Sequence, residues 1–160
     1  MSGLFIDLQK AFDILDHELL LEKLYRIGMR SNVNDLFRSY LTGRKQRVKF
    51  KNTYSKYVEV SFGVPQGMLL GPILFLIFIN DFYEIVTKAK IIEYADDTAI
   101  IFTDYTWENL KSNISDTFTV IMKWFYENRL LVNVDKTLVM LVVVMHQVSL
   151  IIQRYFLLIL

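Results

Sequence analysis

The sequence predicts an α+β fold in which helices pack against one face of a largely antiparallel sheet. The segment 46–62 alternates apolar and polar residues with period two, and several short apolar runs elsewhere are typical of buried strands. A segment over 110–125 instead places apolar residues every three or four positions, as an amphipathic helix does. The elements follow in the order strand, helices, hairpin, helix, hairpin, helix, strand, and this order favours the α+β class.

The first elements are a strand and two helices. The strand covers residues 3–8. Asp16 is suited to cap the first helix, whose leucines share one face, and Gly28 is suited to end it. A second short helix covers 33–41 and ends at Thr42-Gly43.

The middle of the chain changes to period two and then returns to a helix. A hairpin is predicted over 46–62, with its turn at Asn52-Thr-Tyr-Ser. Gly63-Val-Pro-Gln-Gly and Gly71-Pro72 bracket a loop. A helix then runs from Pro72 to about Val86, and because it is apolar nearly all round we expect it to be buried.

The last third carries a second hairpin, a helix and two further strands. The hairpin strands cover 90–94 and 98–102, joined at Ala95-Asp96-Asp97. A long amphipathic helix follows. The final strands are predicted over 130–134 and 138–144.

Composition limits the classes of protein. The 160 residues suffice for one domain with a core, and a hydrophobic content of 53% excludes disorder. A net charge of +1 excludes a polybasic clamp that spans the whole chain. The absence of cysteine excludes disulfide scaffolds and thiolate zinc sites, and it fits a reducing compartment. No signal peptide is apparent, since the first residues already have the pattern of a strand.

The two ends of the sequence suggest a fragment. Met1-Ser-Gly leads directly into a strand that is predicted to be central. The apolar tail over 138–160 exceeds the roughly 20 residues of a membrane span, yet polar residues interrupt it, so we expect no membrane segment. A buried strand followed by an apolar helix is one alternative for this tail, and a damaged reading frame is another.

Three carboxylates lie within strongly apolar segments: Asp7, Asp96 and Asp97. Burying an unpaired charge is unfavourable, and a divalent cation with hard oxygen ligands compensates for it. Adjacent side chains of a strand point to opposite faces, so the pair can share one site only at a turn or strand end. There are two alternatives to a metal site. Asp96 and Asp97 can be ordinary turn residues, and Asp7 can form a salt bridge with Lys10. If the two strands are neighbours, the pattern favours two-metal phosphoryl chemistry.

A basic segment runs from Leu36 to Val58 without an acidic residue, and tyrosine and phenylalanine are interleaved in it. Its alternating cations share one strand face and can follow a phosphate backbone. The alternative is a solvated edge hairpin whose lysines discourage aggregation. The residues predicted to bind nucleic acid are Arg44, Lys45, Arg47, Lys49 and Lys51.

Five motifs follow one another between residue 4 and about residue 140. They are Phe5-Ile-Asp-Leu-Gln-Lys-Ala-Phe-Asp with Asp16-His17; Ser39-Tyr-Leu-Thr-Gly-Arg-Lys-Gln-Arg-Val; Gly63-Val-Pro-Gln-Gly-Met-Leu-Leu-Gly-Pro with Phe78-Ile-Asn-Asp; Tyr94-Ala-Asp-Asp; and Asn133-Val-Asp-Lys-Thr. The ordered set resembles the palm region of reverse transcriptases from non-LTR retrotransposons of the LINE, jockey or RTE type. Tyr-x-Asp-Asp alone would be weak, whereas the ordered set is highly specific.

The resemblance implies a polymerase palm and a metal site. Asp7 and Asp96 would be the principal ligands of two Mg²⁺ ions, with Mn²⁺ as the alternative metal. Asp97 would complete the triad, and the carbonyl of Leu8 would be a further ligand.

It also implies residues that contact the nucleotide. Phe12 resembles the steric gate under the incoming sugar, with an ordinary core aromatic as the alternative. Pro65, Gln66 and Gly67 resemble the loop against the nascent base pair and triphosphate; a structural turn would use the same glycine. Lys136 occupies the place of a lysine near the leaving pyrophosphate, with a solvated loop lysine as the alternative.

The sequence departs from the family pattern in places. Met68 stands where a small residue is usual, and the fingers and thumb are largely missing. After Met140 the resemblance stops. The domain prediction is therefore a partial palm over 1–144 and an apolar tail of uncertain origin over 145–160.

The function implied is RNA-directed DNA polymerisation. It would transfer a nucleotide from a dNTP to the 3′-hydroxyl of a DNA primer paired with an RNA template. The alternative is an inactive truncated or domesticated remnant that acts at most as a nucleic-acid-binding module.

Overall fold

Two units make up the chain, and a computed structural model describes them over residues 1–65 and 67–141 and, for the backbone alone, 153–155. The sheet unit comprises Met1–Gln9 and Asp81–Leu160, and the helical unit comprises Lys10–Asn80. In chain order the elements are β1 (Ser2–Ile6), α1 (His17–Arg26), α2 (Asn32–Leu41), β2 (Lys45–Gln46), β3 (Lys49–Phe50), β4 (Thr53–Tyr54), β5 (Val58–Glu59), α3 (Leu70–Ile79), α4 (Phe82–Ile85), β6 (Lys90–Tyr94), β7 (Asp97–Phe102), α5 (Trp107–Glu127), β8 (Leu138–Leu141) and β9 (Gln153–Tyr155).

The sheet unit is built on an antiparallel sheet in the order β6-β7-β1-β8-β9. Strand β1 lies between β7 and β8, with Ile6 opposite Thr98 and Phe5 opposite Leu138. Side chains alternate across the sheet, so Leu4 and Ile6 are buried on one face whereas Phe5 is only half-buried on the other. The mixed α/β fold with an antiparallel sheet is thus confirmed.

An aromatic cluster joins the helices of the sheet unit. Helix α5 packs against β7 and against α4. The Phe82 ring of α4 lies 5.0 Å from the Trp124 ring and 5.2 Å from the Phe125 ring of α5. Such ring pairs add to the stabilisation from buried area.

In the helical unit, α1 packs against both α2 and α3. The Asp16 side chain accepts a hydrogen bond from the Leu19 backbone N–H at 3.0 Å, and Gly28 follows the helix with φ of 100°. Both helix-end predictions are therefore confirmed. The buried Lys23 donates to the Phe78 carbonyl at 2.7 Å, which joins α1 to α3.

Three element predictions differ from the structure. The hairpin predicted over 46–62 is two short ladders, β2 with β5 and β3 with β4. Its tight turn falls at Lys51–Asn52, where Lys51 has a φ of 53°. The predicted strand over 130–134 is only a bridge between Leu8 and Val132. The single helix from Pro72 to Val86 is instead α3 and α4, interrupted between Ile79 and Phe82.

Helix α3 is also not buried all round. Leu74 and Phe75 are fully buried, yet Ile73 and Leu76 are 45% and 51% exposed. A helix that is apolar on every side has no polar face, so its sequence cannot indicate which side meets the core.

The tail lies mostly outside the described residues. This applies to 142–152 and 156–160, including part of the strand predicted over 138–144. The backbone of β9 pairs with β8, so a part of the predicted tail joins the sheet. Within the part of the chain that the structure describes, no helix has the length and hydropathy to cross a bilayer.

Candidate active site

The end of the sheet brings two of the predicted carboxylates to neighbouring strands. Strands β6 and β7 are joined by a two-residue turn, Ala95–Asp96, and Tyr94 pairs with Asp97. The register of β1 with β7 ends with Ile6 opposite Thr98, so Asp7 directly follows the paired part of β1 and Asp97 begins β7 at the same end of the sheet. The two carboxylates therefore come to the same end of two neighbouring strands.

These two carboxylates line an open cavity of about 470 Å³. A volume of this order suits a small-molecule ligand. Its walls are formed by Phe5, Ile6, Asp7, Ile92, Tyr94, Asp97, Thr98, Ala99 and Lys136. The cavity thus combines an apolar floor on β1, β6 and β7 with acidic groups and one basic group.

Asp7 is held by the turn that follows the bridge to Val132. Its Oδ2 accepts a hydrogen bond from the Asn133 side-chain amide at 2.8 Å and lies 3.9 Å from Lys136 Nζ. Its backbone is held as well, since the Asp7 carbonyl accepts from the Asn133 N–H and the Asp7 N–H faces Thr137 Oγ1 at 3.4 Å. The side chain of Asp7 therefore has a fixed direction.

Asn133 and Thr137 are two site residues that the sequence does not predict. Both belong to the motif Asn133-Val-Asp-Lys-Thr, in which the sequence predicts a role only for Lys136. The Thr137 hydroxyl and N–H both bond to the Asn133 carbonyl, which closes the turn around Asp7. The available signal was the four-residue spacing of two short polar side chains, which is typical of such a turn.

Asp96 is placed differently from the other two carboxylates. It lies half-buried in the turn and is not among the residues that line the cavity. Over residues 1–65 and 67–141, no three acidic, histidine or cysteine side chains are arranged to hold a metal ion. The structure therefore brings together Asp7, Asp97 and Lys136, and it leaves Asp96 beside them.

The turn carries backbone strain. Ala95 has a φ of 53°, the conformation that glycine favours at the first central position of a type II′ turn.

Glu93, on the strand leading into this turn, has a pKa raised by partial burial of its carboxyl group.

We predict that Ala95→Gly stabilises the sheet unit. Alanine in the left-handed region costs about 1–2 kcal/mol, and glycine gives back roughly 0.5–1 kcal/mol through its greater freedom when unfolded. The expected gain is about 0.5–1 kcal/mol in the free energy of unfolding, measured by urea titration. Ala99→Gly, inside β7, is the control and should instead destabilise the protein.

The predicted nucleotide-contacting residues lie mainly in the helical unit. The Phe12 ring is half-buried, 4.8 Å from the Phe75 ring at 38°. Pro65 is half-buried, Gly67 is exposed with a φ of 77°, and Gln66 lies outside the described residues. Leu8, in the sheet unit, is buried at the bridge to Val132.

The basic segment divides into exposed cations and one engaged arginine. The Arg47 guanidinium lies 3.9 Å from the Tyr54 ring centre and 4.8 Å from that of Tyr57. Lys49 and Lys51 are exposed beside aromatic rings, and Lys45 stands opposite Glu59. Arg44 is half-buried and donates to the carbonyls of Leu41 and Gly63 at 3.0 and 2.6 Å.

Comparison with known proteins identifies relatives along nearly the whole chain. The family described as "Reverse transcriptase (RNA-dependent DNA polymerase)" matches residues 2–153. A "Probable RNA-directed DNA polymerase from transposon BS" of Drosophila melanogaster is 31% identical over 86% of this chain and 16% of the relative. The "RNA-directed DNA polymerase from mobile element jockey" of the same species is 29% identical over 84% of this chain and 15% of the relative. The chain thus spans about a sixth of the length of these relatives.

Solved structures agree in fold. Telomerase from Candida albicans, in complex with a fragment of telomeric RNA, superposes with a TM-score of 0.67 at 17% identity, covering 86% of this chain and 27% of that one. Apo telomerase from Candida tropicalis, truncated from its C-terminal domain, superposes with a TM-score of 0.70 at 15% identity, covering 94% and 32%. At this identity the likeness concerns the fold, and it is consistent with a polymerase palm.

Proposed function

Because this chain belongs to the reverse transcriptase (RNA-dependent DNA polymerase) family, we propose that it supplies the palm of an RNA-directed DNA polymerase. In this proposal it transfers a nucleotide from a dNTP to a primer 3′-hydroxyl on an RNA template. One observation carries the proposal furthest: Asp7 and Asp97 stand on neighbouring strands and line one cavity. Carboxylates at that place suit a reaction that develops charge on phosphate oxygens.

A divalent metal fits this donor set. Reverse transcriptases in general use divalent metal ions. Mg²⁺ in phosphoryl-transfer sites is commonly held by one or two carboxylates, and substrate phosphates and water complete its shell. Asp7 and Asp97 would therefore hold Mg²⁺, or Mn²⁺, and Asp96 in the adjoining turn is the proposed third ligand. When bound, two such ions stabilise charge on the attacking and leaving oxygens.

We assign the remaining residues of the cavity by their chemistry. Asn133 fixes the direction of the Asp7 carboxylate through the 2.8 Å hydrogen bond. Lys136, whose side chain is 69% exposed, makes only a long ion pair with Asp7, so it can turn towards a leaving pyrophosphate and neutralise it. The carbonyl of Leu8, next to Asp7, is the proposed additional metal ligand.

Nucleotide contacts are proposed for the helical unit. The Phe12 ring, supported by Phe75, would lie under the incoming sugar and exclude a 2′-hydroxyl. Pro65, Gln66 and Gly67 would lie against the base pair and the triphosphate. The positive φ of Gly67 allows the backbone to approach a ligand closely.

The exposed cations of the basic segment are the proposed contact with template and primer. Lys45, Arg47, Lys49 and Lys51 are all exposed, and the tyrosine rings beside Arg47 hold its guanidinium in place. Cations and aromatic rings together bind phosphates and bases. The palm itself is proposed to extend over residues 1–144.

Primer extension tests this function. The protein is incubated with an RNA template annealed to a DNA primer, dNTPs and increasing Mg²⁺. We expect extension that saturates with Mg²⁺, resumes with Mn²⁺ after chelation, and falls when ribonucleotides replace dNTPs. Retained RNA binding with no extension at any Mg²⁺ or Mn²⁺ concentration would instead support the inactive remnant.

A further inference from the structure

The carbonyl of Gly63 accepts hydrogen bonds from two side chains that are distant in sequence. Arg44 donates from Nη2 at 2.6 Å, and His17 lies with Nε2 at 2.8 Å. Since a carbonyl only accepts, His17 must carry its hydrogen on Nε2. His17 is buried, so this bond is shielded from water.

The backbone around Gly63 is held just as closely. Its N–H donates to the Leu15 carbonyl at 2.8 Å, and the next residue, Val64, donates to the Phe12 carbonyl at 2.8 Å. A Cβ on Gly63 would lie 2.5–2.7 Å from backbone atoms of Asp13. The segment 63–64 is therefore bonded directly to the segment 12–15.

This arrangement joins two elements that the proposed function assigns to the nucleotide. Phe12 is bonded to Val64 at one end of this pair of segments, and Pro65 follows Val64 at the same end. The ring of Phe12 is supported from behind by Phe75. The side chains that hold the Gly63 carbonyl, Arg44 and His17, therefore also hold the position of Pro65 relative to Phe12.

Arg44 is unlike its basic neighbours in this respect. Its guanidinium is half-buried and occupied by the Leu41 and Gly63 carbonyls. Arg47, three residues away, is exposed, and its guanidinium contacts the rings of Tyr54 and Tyr57. The two arginines therefore differ in what they can bind.

We propose that Arg44 and His17 are positioning residues that set the separation between Phe12 and Pro65, the first residue of the proposed nucleotide-contacting loop. They thereby determine how tightly and how selectively the incoming deoxynucleotide is held. This inference rests on the proposed function, and it assigns Arg44 to the nucleotide rather than to the nucleic-acid backbone.

Matched arginine variants test the inference. Arg44→Ala is expected to raise KM for dNTP roughly tenfold, the usual effect of losing a charge-assisted hydrogen bond, and to lower the preference for dNTP over ribonucleotide. Its affinity for template–primer should change by less than about twofold. The Arg47→Ala variant should bind template–primer more weakly and with a smaller salt dependence. With template–primer at saturation, its KM for dNTP should equal that of the unaltered protein.

Histidine variants separate positioning from packing. Gln places an amide donor within reach of the Gly63 carbonyl, so the His17→Gln variant should keep most of the dNTP affinity of the unaltered protein. The His17→Leu variant has no donor and should lose that affinity. Hydrogen exchange of the Gly63 and Val64 amides should accelerate in Arg44→Ala and His17→Leu only. Arg44→Lys, which keeps one donor, serves if Arg44→Ala does not fold.

The outcomes distinguish this inference from the proposed function. An Arg44→Ala variant with weakened template–primer binding and an unchanged KM would overturn the inference alone. If the unaltered protein binds dNTP but does not extend a primer, the proposed polymerase activity is wrong. The inference is then tested by comparing the dissociation constants for dNTP of Arg44→Ala and Arg47→Ala in place of their KM values. Absence of dNTP binding in the unaltered protein would overturn the inference together with the proposed activity.

Discussion

Replacing Asp7 with asparagine is expected to reduce primer extension by about a thousandfold or more. Asp7 lines the cavity and its carboxylate is aimed by Asn133. A metal ligand contributes several kcal/mol of transition-state stabilisation, and each 1.36 kcal/mol is tenfold in rate. The measurement is the rate of single-nucleotide addition at saturating dNTP and Mg²⁺.

The variant should fold normally, because asparagine has the same shape and its amide oxygen can still accept from Asn133. Asp135→Asn is the matched control, since Asp135 is exposed in the same turn and is not among the residues that line the cavity. We expect its rate to stay within about twofold of the unaltered protein. An Asp7→Asn rate within tenfold of the unaltered protein would exclude Asp7 as a metal ligand.

The second large effect is expected from Gly63→Ala, which should lower the free energy of unfolding by about 2–5 kcal/mol. The backbone at Gly63 has a φ of 77°, where a side chain costs about 1–2 kcal/mol. The added methyl group also meets the backbone of Asp13, which cannot move aside as a flexible side chain could. Overpacking of this kind typically adds about 1–3 kcal/mol.

Gly67→Ala measures the cost of the positive φ alone, so its difference from Gly63→Ala isolates the steric part of the effect. Gly67 has the same φ of 77°, yet a Cβ there would meet nothing within 4 Å. It should cost only about 1–2 kcal/mol. Urea titration of both variants gives the difference, and equal losses would show that Asp13 yields to the new methyl group.

Local patterns in the sequence identified the elements whose causes are local. Asp16 caps α1 through its own side chain, and Gly28 ends the helix because it readily adopts a positive φ. The predicted bounds of β6, Lys90–Tyr94, match those of the structure. Each of these depends on neighbours within a few residues.

Long-range neighbours could not be derived in the same way. Nothing in the spacing of Asp7 and Asp97 shows that β1 lies beside β7. The resemblance to a family implies the shared site, and the register of β1 with β7 is what places the two residues at the same end of neighbouring strands. The role of Asn133 depends on a contact across 126 residues of sequence. Charge alone likewise grouped Arg44 with Arg47, since the sequence records a cation but not the carbonyls that engage it.

The alternation of β1 has a consequence for how such a gene can change. Leu4 is fully buried and Asp7 lines the cavity, so the placement of both depends on the alternation of this strand. Inserting or deleting one codon within residues 2–6 would turn the apolar set to solvent and the carboxylate inwards. Point substitutions can abolish chemistry while sparing the fold, but a single-residue change in length here would remove both together. The length of this strand is therefore constrained by folding and by the site at once.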